Sequence, residues 1–259
     1  MMSETAVVID TECTGLKEPE PLEICITRPF EFFKPELPDD GCCHYFSERK
    51  PIEFGAMATH HIFPGMHSAH PQWPRGWMFP DDVGYMIGHN VDYDWEAIGK
   101  PNVKRICTLS MSRKEWPDLD SHRQDGLQYY FASLTPGEKP RFEAYCTCQS
   151  RLMDGAHSAF GDVISCINVL RNILNGHPDI TSWQQLWEKS EKDRVPEFLT
   201  FGKYGPQSDW AKQNNMPKGM PVYQVKAYDF GYWRWLVGGQ CDQVNRDPYL
   251  ERALRGTML

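Results

Sequence analysis

The chain opens on a short apolar run, Ala6-Val7-Val8-Ile9, that gives way to Asp10-Thr11-Glu12. This predicts a buried strand carrying polar residues at its end. Gly15 and the Pro19/Pro21 pair mark a turn, and residues 22–28 predict a second strand. Pro35, Pro38 and Asp39-Asp40-Gly41 break the chain again before a third short strand at 43–47. Early strands joined by turns predict an antiparallel meander. Ile52, Ala56, Met57 and His60 share a helical face, so a helix is expected over 52–62. Residues 63–82 hold four prolines and read as loop. Strand patterning returns at 83–89 and 104–107, with a helix expected at 92–98 between them. Thr108 is expected to cap a further helix that stops before Pro117, and a short helix is expected around 126–132.

The clearest helical stripe runs from 156 to 174. Val163, Ile164, Ile167, Leu170 and Ile173 fall on one side, and Asn175-Gly176 ends it. Trp183, Leu186 and Trp187 predict another short helix, followed by a charged linker over 188–196. Beyond it the composition changes: residues 197–239 contain ten Phe, Tyr and Trp, a density that implies a small second module. The expected organisation is a domain over 1–180, a helix and linker over 181–196, and an aromatic-rich module over 197–259. Strands first, then strand–helix alternation, give an α/β order with a mixed sheet.

Composition narrows the function. With 41% hydrophobic and 24% charged residues among 259, the chain is ordinary globular material. A net charge of −8 argues against a passive nucleic-acid coat, which would be basic, but does not argue against an enzyme whose carboxylates hold metal ions. No apolar run approaches the ~18 residues of a membrane span, so no membrane partner is expected. The opening Met1-Met2-Ser3-Glu4-Thr5 has no basic region followed by an apolar stretch. A cytoplasmic location follows as the expectation, with the nine cysteines reduced. Cys42-Cys43 and Cys146-x-Cys148 lack the spacing of a zinc knuckle.

The chemistry sits in three segments. Asp10 and Glu12 are two apart on a strand and so face the same way. Gly88-His89-Asn90-Val91-Asp92-Tyr93-Asp94 is a strand end running into a helix, where Asp94 falls in the first turn. His157-Ser158-Ala159-Phe160-Gly161-Asp162 opens the long helix. Each alone has a plain structural reading: surface acids, helix capping, a satisfied histidine. Together they bring four acids and one histidine to strand ends and helix starts. Converging carboxylates repel by about 1 kcal/mol per pair at ~4 Å in water and about 4 at an effective dielectric of 20. Such a cluster calls for divalent cations, and oxygen-only donors select Mg²⁺ or Mn²⁺.

In this order and spacing, V-V-I-D-T-E-C-T-G-L (7–16), G-H-N-V-D-Y-D (88–94) and H-S-A-F-G-D (157–162) resemble the three motifs of the DEDDh 3′→5′ exonucleases. The resemblance covers residues 6 to about 174. Ala56-Met57-Ala58-Thr59-His60-His61-Ile62 and Ile106-Cys107-Thr108 with Trp116-Pro117 are similar to segments of that family's exonuclease X group. So are Thr200-Phe201-Gly202-Lys203-Tyr204 and Asp229-x-x-Tyr232-x-Arg234-Trp235-Leu236 in the tail. The chain departs from the family in Cys13-Thr14, where two threonines are common, and in a long 205–228 segment. The resemblance implies a ribonuclease H-like fold, a five-stranded mixed sheet flanked by helices. It implies two Mg²⁺ or Mn²⁺ ions held by Asp10, Glu12, Asp94 and Asp162, with His157 as general base. Thr14, Gly15 and Leu16 would contact the terminal nucleotide, and His60 is a candidate phosphate or nucleotide contact, the other reading being a helix-surface histidine. The implied partners are DNA 3′ ends, single- or double-stranded. RNA is the rival substrate, and a catalytically silent binding module is the rival of another class. Lys203, Lys226 and Arg234 with their aromatic neighbours read equally as a nucleic-acid grip or as the rim of a small core.

Overall fold

The computed structural model describes residues 5–28, 43–74, 77, 79–134 and 158–256. It divides into two compact units, Met1–Ser190 and Glu191–Leu259. In the first, β1 (Thr5–Cys13), β2 (Pro21–Thr27), β3 (Cys43–Tyr45), β4 (Val83–Gly88) and β5 (Lys104–Cys107) form one sheet, ordered β3-β2-β1-β4-β5. The β1/β2 and β2/β3 pairs are antiparallel, and the β1/β4 and β4/β5 pairs are parallel. Each parallel neighbour needs a crossover. The helices α1 (Phe54–His60) and α2 (Val91–Ala97) lie in those crossovers. Then follow α3 (Thr108–Glu115), α4 (Gln124–Ser133), α5 (Ala159–Gly176) and α6 (Trp183–Asp193). The result is the ribonuclease H-like α/β fold, a five-stranded mixed sheet with flanking helices.

Strand alternation explains why β1 begins as an unbroken apolar run. Val8 and Ile87 face the core built by Met111, Leu127, Val163, Ile167, Leu170 and Leu186. Ile9 and Met86 face the opposite core, with Val91 and Ile98. Both faces are covered, so both sets of positions are apolar. Asp10 and Glu12 continue the Val8 series and Thr11 continues the Ile9 series. The two acids therefore emerge on the side of α5, and Thr11 on the side of α2.

Several elements differ from the sequence expectation. The first strand runs through the acids to Cys13. The helix expected over 52–62 is limited to Phe54–His60: Glu53 is extended at ψ 141° on its N-terminal side, and His61 turns left-handed at φ 58°. Thr108 is the first helical residue, not the cap; Cys107 holds the cap position. The Thr108 hydroxyl instead donates to the Gly88 carbonyl at 3.2 Å. The linker expected over 188–196 is helical to Asp193. Its charges belong to an amphipathic helix: Lys189 pairs with Glu115 at 2.7 Å, while the buried Ser190 hydroxyl accepts the Cys107 N–H at 2.8 Å.

The second unit has its own core of Leu199, Tyr204, Met220, Val225, Leu236 and Leu250. It is built from α7 (Asp209–Gln213), α8 (Val222–Tyr228), α9 (Phe230–Trp235), α10 (Asp242–Arg246) and α11 (Pro248–Arg255). Asp229 ties it together. Its carboxylate takes the Lys203 ammonium at 2.7 Å, the Tyr204 hydroxyl at 2.7 Å and the Tyr232 N–H at 2.9 Å. The Tyr232 hydroxyl in turn accepts the Lys203 N–H at 3.3 Å. Among the described residues, no helix is long and apolar enough to cross a membrane.

Candidate active site

Asp10, Glu12 and Asp162 each bring a carboxylate oxygen within 4.8 Å of the others. Two come from one strand face and the third from the first turn of α5. That helix start is fixed locally: the Ser158 hydroxyl accepts the Gly161 N–H at 3.2 Å, and the Ser158 carbonyl accepts the Asp162 N–H at 3.0 Å. From the side of α4, the Gln124 amide donates to the Asp162 carbonyl at 3.0 Å.

Asp94 is buried on α2 and lies outside this trio. The Thr11 hydroxyl donates to its Oδ1 at 2.8 Å. Strand alternation accounts for the arrangement, since Thr11 points to the α2 side while its neighbours point to α5. Asp94 is still near enough for its charge to act on Asp10 and Glu12. Asp92 is elsewhere, paired with the Arg105 guanidinium, which stacks 4.1 Å from the Trp95 ring.

Electrostatics set this cluster apart from ordinary surface acids. Burial, then the charges of Asp162, Asp94, Glu12 and Glu23, lift Asp10 well above the usual carboxylate range. Burial, followed by Asp162, Glu23 and Asp94, pushes Glu12 up to about 10. Burial raises Asp94 to about 7 against the opposing hydrogen bonds of Thr11, and raises Asp162 to about 6. The charged forms are held in a poorly solvated space beside one another's charge.

Glu23 is a fifth acid that sequence reasoning missed. It pairs across the antiparallel ladder with Glu12 and therefore shares its face. It is 5% exposed, and burial raises it to about 7, opposed by a hydrogen bond from the Ala159 N–H. That N–H belongs to the first residue of α5. The signal in the sequence is a lone acid inside an apolar strand, Leu22-Glu23-Ile24-Cys25.

The remaining expected residues are distributed as follows. Thr14 is fully buried; its carbonyl accepts the Glu53 N–H at 2.7 Å, and its N–H donates to the Glu20 carbonyl at 3.0 Å. The Gly15 carbonyl accepts the Tyr93 hydroxyl at 3.0 Å. The Leu16 N–H donates to Glu53 at 3.3 Å, and its side chain is 81% exposed. His60 is buried, its Nδ1 accepting the Ile62 N–H and its Nε2 donating to the Cys13 carbonyl, both at 3.0 Å. Its ring joins the end of β1 to the end of α1. His89 has both nitrogens engaged, with the Thr108 hydroxyl at 3.0 Å and the His122 carbonyl at 2.8 Å. Burial pushes His89 down to about 4, opposed by its hydrogen bond to the His122 carbonyl. His157 lies outside the described residues.

Fold and site together define an α/β domain with a five-stranded mixed sheet and a partly buried acidic cluster at the end of its central strand. No protein-family model matches the chain, and no curated protein matches it. Among solved structures it is similar to exonuclease X in complex with 5′-overhanging duplex DNA, at 21% identity and TM-score 0.49, over 71% of this chain and 99% of that one. It is also similar to E. coli exonuclease I in complex with a dT13 oligonucleotide, at 16% identity and TM-score 0.45, over 68% of this chain and 42% of that one. An apo exonuclease I gives 16% identity and TM-score 0.46, over 90% of this chain and 51% of that one. At TM-scores below 0.5, these likenesses add nothing to what the strand order and the carboxylate geometry establish.

Proposed function

We propose that this chain is a metal-dependent 3′→5′ exonuclease that hydrolyses DNA from its 3′ end to nucleoside 5′-monophosphates. The observation that carries this reading is the convergence of Asp10, Glu12 and Asp162 within 4.8 Å, with Glu12 buried and the other two half-buried. The donor set fits hard divalent cations. All its atoms are carboxylate oxygens, and cations would relieve the repulsion that lifts their pKa values. Asp10, Glu12, Asp94 and Asp162 would hold two Mg²⁺ or Mn²⁺ ions, which when bound supply activation of water and stabilisation of the leaving 3′ oxygen.

The chain's own groups do the rest. His157 directly precedes Ser158, the cap of α5, and we assign it the proton of the attacking water, a task suited to imidazole near neutral pH. The exposed Leu16 side chain offers an apolar surface to the terminal base. The Thr14–Leu16 turn that carries it is fixed by Glu53 and Tyr93.

The test is digestion of 5′-labelled DNA and RNA oligonucleotides, single- and double-stranded, in Mg²⁺ and in EDTA. DNA should shorten stepwise from the 3′ end in Mg²⁺ and remain intact in EDTA. Asp10→Asn and Asp162→Asn should each lower the rate by at least ~10³-fold while the protein stays folded. His157→Gln should lower turnover by ~10²–10⁴-fold with metal binding retained. Full activity in EDTA, or a near-wild-type rate from either Asp variant, overturns the reading. Shortening of RNA in place of DNA moves the substrate to RNA.

A further inference from the structure

The second unit carries a surface that its own fold does not consume. Lys203, Tyr204 and Tyr232 are committed to the Asp229 network, and their role is structural. The adjoining Lys226, Phe230 and Arg234 side chains are exposed. Phe230 is 59% exposed and stacks on Trp233, with ring centroids 5.5 Å apart and planes at 26°. The Trp233 indole N–H donates to the Leu254 carbonyl at 2.7 Å, which holds that ring in place beneath Phe230. The Lys226 ammonium lies 4.7 Å from the Trp233 ring centre. Arg234 follows Phe230 by four residues on α9 and so lies on the same side of the helix.

We propose that this face, formed by Phe230, Trp233, Lys226 and Arg234, is a binding platform for single-stranded nucleic acid. A base stacks on the outer face of Phe230, and Lys226 and Arg234 meet the flanking phosphates. Charge complementarity supports this occupant. The second unit carries ten Lys and Arg against eight Asp and Glu, a net +2 within a chain of −8. Between residues 199 and 240 there are five basic and two acidic residues; Asp229 pairs with Lys203 and Asp209 with Lys212, so the excess rests on Lys218, Lys226 and Arg234. The pre-stacked, anchored ring pair points to a strand with unpaired bases, since a duplex hides its base faces. The platform goes beyond the nuclease reading, and its binding is measurable without catalysis.

The experiment uses the full chain and a fluorescein-labelled oligo-dT of about 20 nucleotides in EDTA, followed by anisotropy across a salt series. Phe230→Ala should raise Kd at least ~5-fold, and Phe230→Leu, which keeps apolar bulk over Trp233, should do nearly the same. Lys226→Gln and Arg234→Gln should each weaken binding and reduce the salt slope by about 0.7. Hydrolysis of the p-nitrophenyl ester of thymidine 5′-monophosphate in Mg²⁺, a substrate too short to occupy more than the acidic site, should be unchanged in these variants. Wild-type protein that binds oligo-dT through these residues but hydrolyses nothing refutes the nuclease reading and supports the platform. Unchanged Kd and salt slope in all four variants overturn the platform. So does a dimer, detected by sedimentation, that the substitutions dissolve without affecting oligonucleotide binding; the face would then be a contact between two copies.

Discussion

Glu23 adds negative charge to a cluster that already repels itself, so its burial beside Glu12 needs a compensating contact. The Ala159 N–H supplies one. The first N–H groups of a helix have no partner within it, and the helix dipole favours an anion there. Glu23 thereby links β2 to the start of α5, whose first turn carries Asp162. If that bond positions Asp162, Glu23→Ala should lower turnover about 10²-fold with KM for an oligonucleotide nearly unchanged. Glu23→Gln keeps an acceptor oxygen and should stay within about fivefold of wild type. Mn²⁺ binding followed by EPR without substrate should weaken in the Ala variant and largely recover in the Gln variant. Equal impairment of the two would mean that the charge of Glu23, and not its bond to α5, is what the site uses. The linear pattern shows Glu23 as a lone acid in an apolar strand, but its pairing with Glu12 across the ladder is a tertiary fact that the pattern does not carry. Asp10 and Glu12 were legible because their shared face follows from strand geometry alone.

At the scale of elements, the turn after β1 depends on the absence of a side chain at Gly15. A Cβ there would overlap the Glu53 carboxyl group, which accepts the Leu16 N–H. Gly15→Ala should therefore displace Glu53, loosen the Leu16 turn and raise KM several-fold, with a smaller effect on stability. Combining it with Glu53→Ala removes the overlap. A double-mutant cycle on KM should show coupling between the two sites; strict additivity would place the effect elsewhere. The sheet and its helices were largely readable from apolar periodicity. The misread positions were polar ones whose partners lie far away in sequence. Thr108 looked like a cap, yet its hydroxyl serves Gly88 across the β4–β5 pair. The charged stretch after Glu188 looked like a linker, yet Ser190 is buried against the Cys107 amide. The convergence of Asp162 on β1 was legible only through motif order, because composition says nothing about which helix start meets which strand end.

Across the whole molecule, the acidic cluster ties stability to pH and metal. An unfolded Asp or Glu titrates near 4. In the fold Asp162 sits at about 6, Glu23 and Asp94 at about 7 and Glu12 at about 10, all raised chiefly by burial. Between the unfolded and folded values the native state holds more protons than the unfolded one. Stability of the metal-free protein must then fall as pH rises through that window. The opposite sign applies to Glu115, which hydrogen bonds from Lys189 and His177 hold low despite its partial burial. Its stabilisation is present above the unfolded value and is lost in acid. The two effects oppose each other: the cluster favours the fold in acid, and Glu115 favours it above the unfolded carboxylate range. Calorimetric melting in EDTA should show the transition of the first unit dropping by at least ~3 °C between pH 5 and pH 8. Divalent cations bind the deprotonated carboxylates, so millimolar Mg²⁺ or Mn²⁺ should raise that transition most at pH 8 and flatten its pH dependence. Asp10→Asn should flatten it too, without metal, by removing one of the mutually repelling charges. A metal-free transition that rises steadily from pH 5 to pH 8 would mean that the four acids are already ionised at pH 5 and share no protons. The coupling between folding, protons and metal at this site would then be wrong.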